Sequence, residues 1–191
     1  MARSKEFDVD AVLLKAMKLF WSQGYEKTSM QDLVEHMGIH RRSIYDTFGD
    51  KHALYLMALK RYGDTVWSSI EQKAQSSLSA KAAIRSVMEA VIEQNEERPK
   101  GCLMVNTAVE LALHDSELKG YVNESWSGTE ELFRKLILKG QQTGELSASL
   151  DADTIAPYLN NALIGLRVMV KTQNHTEKLK QVIATTMSIL D

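Results

Sequence analysis

A chain of 191 residues, 44% apolar and 25% charged, is long enough to bury a real core in one large domain or two small ones. Its net charge of −2 gives no whole-chain signal for nucleic acid, and its single cysteine, Cys102, excludes an internal disulfide and a four-cysteine zinc site. The charged N-terminus lacks a signal-peptide core and no apolar run matches a bilayer, so a cytoplasmic protein without membrane association is expected.

Helical spacing runs through nearly the whole sequence. Leu13, Ala16, Met17 and Phe20 share one face of a first helix, with Asp8 or Asp10 to cap it and Gly24 after its end. Ser29 and Asp32 have the spacing of a capping box for a second helix, whose apolar face is Met30, Leu33, Val34 and Met37 and whose stop is Gly38. A short third helix, residues 40–47, is anchored by Ile39, Ile44 and Phe48. Asp50 then caps a fourth that runs to about Lys73. After a low-propensity break at 76–79, Ala83, Ile84, Val87, Met88, Val91 and Ile92 mark a fifth. Pro99 and Gly101 interrupt the chain, and a sixth helix covers residues 102–113. A long seventh ends near Gly140. Two more close the chain at 154–171 and 176–190, with Pro157 expected in a first turn, where a missing N–H costs least.

About nine helices and no strand alternation predict an all-α fold. Leu159, Leu163, Leu166 and Val170 on the eighth helix, and Leu179, Val182, Ile183, Met187 and Leu190 on the ninth, form apolar stripes. A monomer is expected to bury these only in part, leaving a two-fold seam for a homodimer.

The first fifty residues carry the functional signal. Three short helices with a glycine turn between the second and third make a helix-turn-helix. The third exposes His40, Arg41, Arg42 and Ser43 near its start, where such a helix meets base edges in the major groove. Elsewhere Arg41 and Arg42 would be an ordinary solvated pair; inside this motif they favour DNA. Charge divides in the same sense: through Tyr62 there are 10 Lys and Arg against 8 Asp and Glu, and beyond it 13 against 17.

Leu19-Phe20, Gly24-Tyr25, Thr28-Ser29, Asp32-Leu33, Met37-Gly38-Ile39, Ser43-Ile44-Tyr45 and Phe48 to Leu54 resemble the N-terminal signature of the TetR/AcrR regulators. That resemblance implies a helix-turn-helix DNA-binding domain at residues 1–54 and a helical effector-binding and dimerisation domain at residues 55–191. It implies a homodimeric repressor on a pseudopalindromic double-stranded operator, released by a small-molecule effector. It would place Tyr45 and Lys51 on phosphates, Thr28 and Ser29 on the backbone, and His40, Arg41, Arg42 and Ser43 at the bases. His40 and Arg42 stand where the family often has smaller residues, so no operator sequence carries over. Val34 stands where alanine is common and asks for slightly looser packing.

An effector pocket is expected among Trp67, Cys102, Asn106, Glu110 and Trp126, with Asn106, Glu110 and His114 one turn apart as its polar side or, equally, as a solvent stripe. Cys102 opens a helix after Lys100 and Gly101, which suits a reactive electrophile- or oxidant-sensing thiol; a buried, inert thiol is the other reading. His36 and His52 are expected to face solvent. No nucleophile elbow, phosphate loop or zinc-protease motif occurs, so no enzyme, cofactor or metal is expected. A small-molecule-binding protein or thiol enzyme, and a ligand-independent architectural DNA binder, are the alternatives.

Overall fold

A computed structural model describes residues 7–93, 98–172 and 176–191. Among them nine α-helices and no strand are found: α1 (Val9–Gln23), α2 (Met30–Met37), α3 (Arg41–Phe48), α4 (Lys51–Ser76), α5 (Ala80–Glu89), α6 (Leu103–Glu110), α7 (Ser116–Gln142), α8 (Ala152–Met169) and α9 (Thr176–Met187). A 3₁₀ turn, Ser188–Leu190, follows α9.

The starts and stops follow local chemistry. Asp8, Asp50, Ser79, Asp115 and Asp151 each accept a backbone N–H at a helix start. Ser29 and Asp32 form the full capping box. Gly38 ends α2 at φ 73°, ψ 29°, left-handed geometry that opens the sharp corner into α3.

Three boundaries differ from the sequence reading. The fifth helix stops at Glu89, and Val91 and Ile92 pack against the core from a turn. The sixth stops at Glu110, before Leu111–His114 turns into the cap of α7. The eighth begins two residues early because Asp151 caps it, so Pro157 is its sixth residue rather than a first-turn one. The proline lies on the exposed side, where water can take the carbonyl it leaves unpaired.

Buried side chains form two clusters. One joins α1, α2 and α3 to the first half of α4, to α6 and to Leu118 and Val122 of α7. Phe20, Tyr25 and Tyr55 interlock inside it, the Phe20 and Tyr55 ring centroids 4.9 Å apart. The other joins Ile70, α5, the second half of α7, α8 and α9.

This second cluster takes up most of the two stripes expected at a dimer seam, with Val170 and Val182 left half-buried. Leu159, Leu163, Leu166, Leu179, Ile183, Met187 and Leu190 are all buried within the chain itself, at 5% exposure or less. They pack against α5 and α7, whose apolar faces the sequence reading did not assign to them. The apolar groups left outside on the last elements are Tyr158, Val168 and Ile189.

Candidate nucleic-acid interface and effector cavity

The outer face of α3 is built by what its inner face buries. Ile44 and Phe48 are sunk into the first cluster, which turns Arg41, Arg42 and Tyr45 outward. His40 is the N-cap residue and makes no side-chain cap bond, so its ring is uncommitted at the start of the helix. Ser43 is half-buried beside them. Arg42 lies 3.5 Å from Asp46 one turn on, with both side chains largely in water. Such a pair is worth about 0.3–0.5 kcal/mol and yields readily to a phosphate or a base.

Ser29 is exposed, and its hydroxyl accepts from the Asp32 N–H at 3.1 Å. The Ser29 N–H, then its hydroxyl, hold the Asp32 carboxyl below its ordinary pKa. Thr28 is placed differently from the expectation. Its side chain is wholly buried, and its hydroxyl donates to the Gly24 carbonyl at 2.6 Å, bracing the α1–α2 corner rather than facing outward. Lys51, at the start of α4, sits over the Tyr25 ring with its ammonium 4.2 Å from the centroid.

Behind this head, α6 acts as a clamp that the sequence reading missed. The Glu110 carboxylate accepts the backbone N–H groups of Tyr25 and Glu26 at 3.0 and 2.8 Å. Asn106 donates to the Trp21 carbonyl at 3.2 Å and accepts from Lys171 at 2.7 Å. Tyr55 and Thr107 share a buried hydroxyl pair at 2.9 Å, and burial raises the Tyr55 pKa well above that of a free phenol. His52 is not a solvent residue: it is half-buried with Nε2 2.6 Å from an Asp115 carboxylate oxygen. Asn106 and Glu110 are therefore neither pocket lining nor solvent stripe. His114 is exposed.

A cavity does lie where the two clusters meet. Tyr62, Trp67, Val66 and Ile70 of α4, Cys102 and Met104, Ser125 and Thr129 of α7, and Arg167 of α8 line it. Trp67 and Cys102, both expected at an effector pocket, are among its lining residues. Trp126 is outside the lining; it packs half-buried against the first cluster with its indole N–H unpaired. The enclosed volume is about 20 Å³, room for roughly one water, against several hundred for a typical ligand site. As it stands the cavity has no room for an organic ligand between α4, α7 and α8. Cys102 is 1% exposed, which favours the buried-thiol reading over a sensor open to reagents.

Comparison with known proteins bears on both halves. Residues 12–58 match the family described as bacterial regulatory proteins, tetR family, and residues 80–186 match the tetracyclin repressor-like C-terminal domain. The chain is 34% identical over 194 residues to the HTH-type transcriptional regulator YezE of Bacillus subtilis (strain 168), covering 100% of both. It is 30% identical over 190 residues to the HTH-type transcriptional repressor ComR of Escherichia coli (strain K12), covering 98% of this chain and 90% of ComR. In structure it is similar to a cysteine-substituted CifR, a TetR family transcriptional regulator complexed with a 26bp double-strand operator DNA. The TM-score is 0.90 at 26% identity, over 100% of each chain. With a helix-turn-helix head, a helical body and both family domains matched in order, the chain belongs to the TetR family of DNA-binding transcriptional regulators.

Proposed function

We propose that this protein represses transcription in the cytoplasm as a homodimer on a pseudopalindromic operator, and that a small molecule entering the helical body releases it. Residues 1–54 read the DNA and residues 55–191 hold the effector and the partner. The observation that carries the coupling is the position of α6. Its first residues border the cavity, and its far end holds the head through Asn106 and Glu110. A ligand that parts the cavity walls moves α6, and α6 moves the head. The route expected from the sequence, along α4, runs in parallel, since α4 carries both Lys51 and Trp67.

On DNA, His40, Arg41, Arg42 and Ser43 face the bases, while Ser29, Tyr45 and Lys51 hold the phosphate backbone. Thr28 supports this surface from inside. ComR is named a repressor and the similar CifR structure carries operator DNA, which supports the same reading here.

Selection of bound duplexes from a random pool by the full-length protein tests the proposal. It is expected to return inverted half-sites whose centres are separated by about one helical turn, 34–36 Å, or a multiple of it. Recovery of sequences without two-fold symmetry, or no enrichment, would refute it.

A further inference from the structure

Arg167 is 9% exposed and lines the cavity, yet no carboxylate lies within ion-pair reach of it and its side chain makes no hydrogen bond among the described residues. The cavity wall contains no Asp or Glu. Every ion pair among the described residues involves at least one substantially exposed side chain, whereas Arg167 is largely buried and unpaired, its guanidinium in touch with solvent only at the cavity. Withdrawing a permanent charge from most of its water without a counter-ion is costly, and Arg cannot escape by losing its proton. The rest of the lining has the composition of a ligand site. Trp67 offers an apolar face, and the Ser125 and Thr129 hydroxyls and the Tyr62 phenol offer polar atoms. The Thr129 hydroxyl donates to the Ser125 carbonyl and so keeps its lone pairs free. Burial, and then the neighbouring Cys102 thiol, raise the Tyr62 pKa well above that of a free phenol against the opposing Arg167 charge, so the Tyr62 hydroxyl stays protonated beside Cys102.

We propose that Arg167 is the anion-reading group of this cavity, and that the effector is a small organic carboxylate whose apolar body lies against Trp67. A carboxylate fits the guanidinium fork with two parallel hydrogen bonds and supplies the missing counter-charge. The energy of that pairing is available only when the ligand is bound, so it can be spent on parting the helices. Arg167 also stands one turn before Lys171, which holds Asn106 of the α6 clamp, so a displacement of α8 reaches the head by a second path. The assignment rests on the effector-released reading above and names the chemistry of that effector.

Benzoate serves as the probe, with benzamide as its neutral isostere and inorganic phosphate as a free anion, each titrated into the full-length protein by tryptophan fluorescence. A charge-assisted contact of about 1.5–3 kcal/mol corresponds to benzoate binding roughly tenfold to hundredfold tighter than benzamide. Arg167→Gln is expected to erase that preference while binding selected operator DNA as the parent does. Arg167→Lys, which keeps the cation, is expected to retain part of it and covers a folding failure of the first variant. Equal binding of benzoate and benzamide, no saturable benzoate binding, a preference surviving in Arg167→Gln, or phosphate binding as tightly as benzoate would each overturn the assignment. Operator release by neutral compounds alone, independent of Arg167, would overturn the carboxylate and leave the effector reading standing. Benzoate held through Arg167 without any effect on operator binding would keep the site and refute effector release.

Discussion

Arg41 and Arg42 begin α3 with guanidinium groups that the core does not claim. Replacing Arg41 by alanine is expected to cost about 1–3 kcal/mol of operator affinity and to relax preference at one base pair. Tyr45→Phe should instead weaken all sequences alike, as a phosphate contact does. Fluorescence anisotropy against matched and mismatched duplexes separates the two, and an unchanged affinity in the Arg41→Ala/Arg42→Ala double variant removes α3 from the interface. Asp115 makes a different residue-scale prediction. Its carboxyl titrates below the ordinary value of 3.8, first through the Leu118 N–H, against some desolvation, and then through His52. A depressed carboxyl contributes stability that is complete above its unfolded pKa and lost as pH falls through the lower folded value. Asp115→Asn should therefore lower stability at neutral pH and shrink the loss below about pH 4. Melting curves from acid to neutral pH check this, and an unaltered acid limb refutes it. The capping box at Ser29 and Asp32 was legible because both partners lie within one turn. His52, Thr28 and Glu110 were misplaced because their roles depend on atoms that are remote in sequence or on a fold of the backbone: Asp115 is 63 residues from His52, and Glu110 is 85 from Tyr25.

Among the elements, α6 shows why a polar stripe on one helix does not declare its use. Asn106 and Glu110 are a turn apart, as the sequence showed, but which neighbour they meet depends on how α6 crosses α1. Glu110→Ala leaves the Tyr25 and Glu26 amides to water, and since this corner is only partly buried a loss of about 1 kcal/mol is expected. The same change should speed hydrogen exchange at those two amides more than at the core of α1. Equal exchange in variant and parent would show that the clamp does not hold the corner. Arg167 left a trace that periodicity alone passed over. It falls between Leu163 and Val170 on the inward side of α8, and a permanent cation on an apolar stripe signals either a buried partner or a ligand.

For the whole molecule, the helix count, order and head were legible because capping residues and 3.6-residue spacing are local. The destination of the α8 and α9 stripes was not, because a stripe records that a face is buried but not against what. Leu163 and Ile183 lie in the chain's own core, so Leu163→Ala should cost about 2–5 kcal/mol of stability without a selective effect on assembly. The proposed dimer instead uses the outward side of α8 and the chain end: Tyr158, Val168 and Ile189, with open space over Gly165 for a close approach. Val168→Glu should give folded monomers with poor operator affinity. Sedimentation checks both variants, and a Val168→Glu protein that remains dimeric at micromolar concentration would exclude this face.

Glu110 grips the head by its main chain. Amide hydrogens at positions 25 and 26 are offered by any residue except proline, so this contact is indifferent to the side chains at those two positions, while Gly24 must stay bare because a Cβ there would lie 2.9 Å from the Glu110 carboxylate. The base-facing residues of α3 can therefore change without disturbing this contact, as long as Gly24 and the His52 that meets Asp115 are kept. On the proposed reading, target choice and chemical trigger are then separately inheritable within one polypeptide.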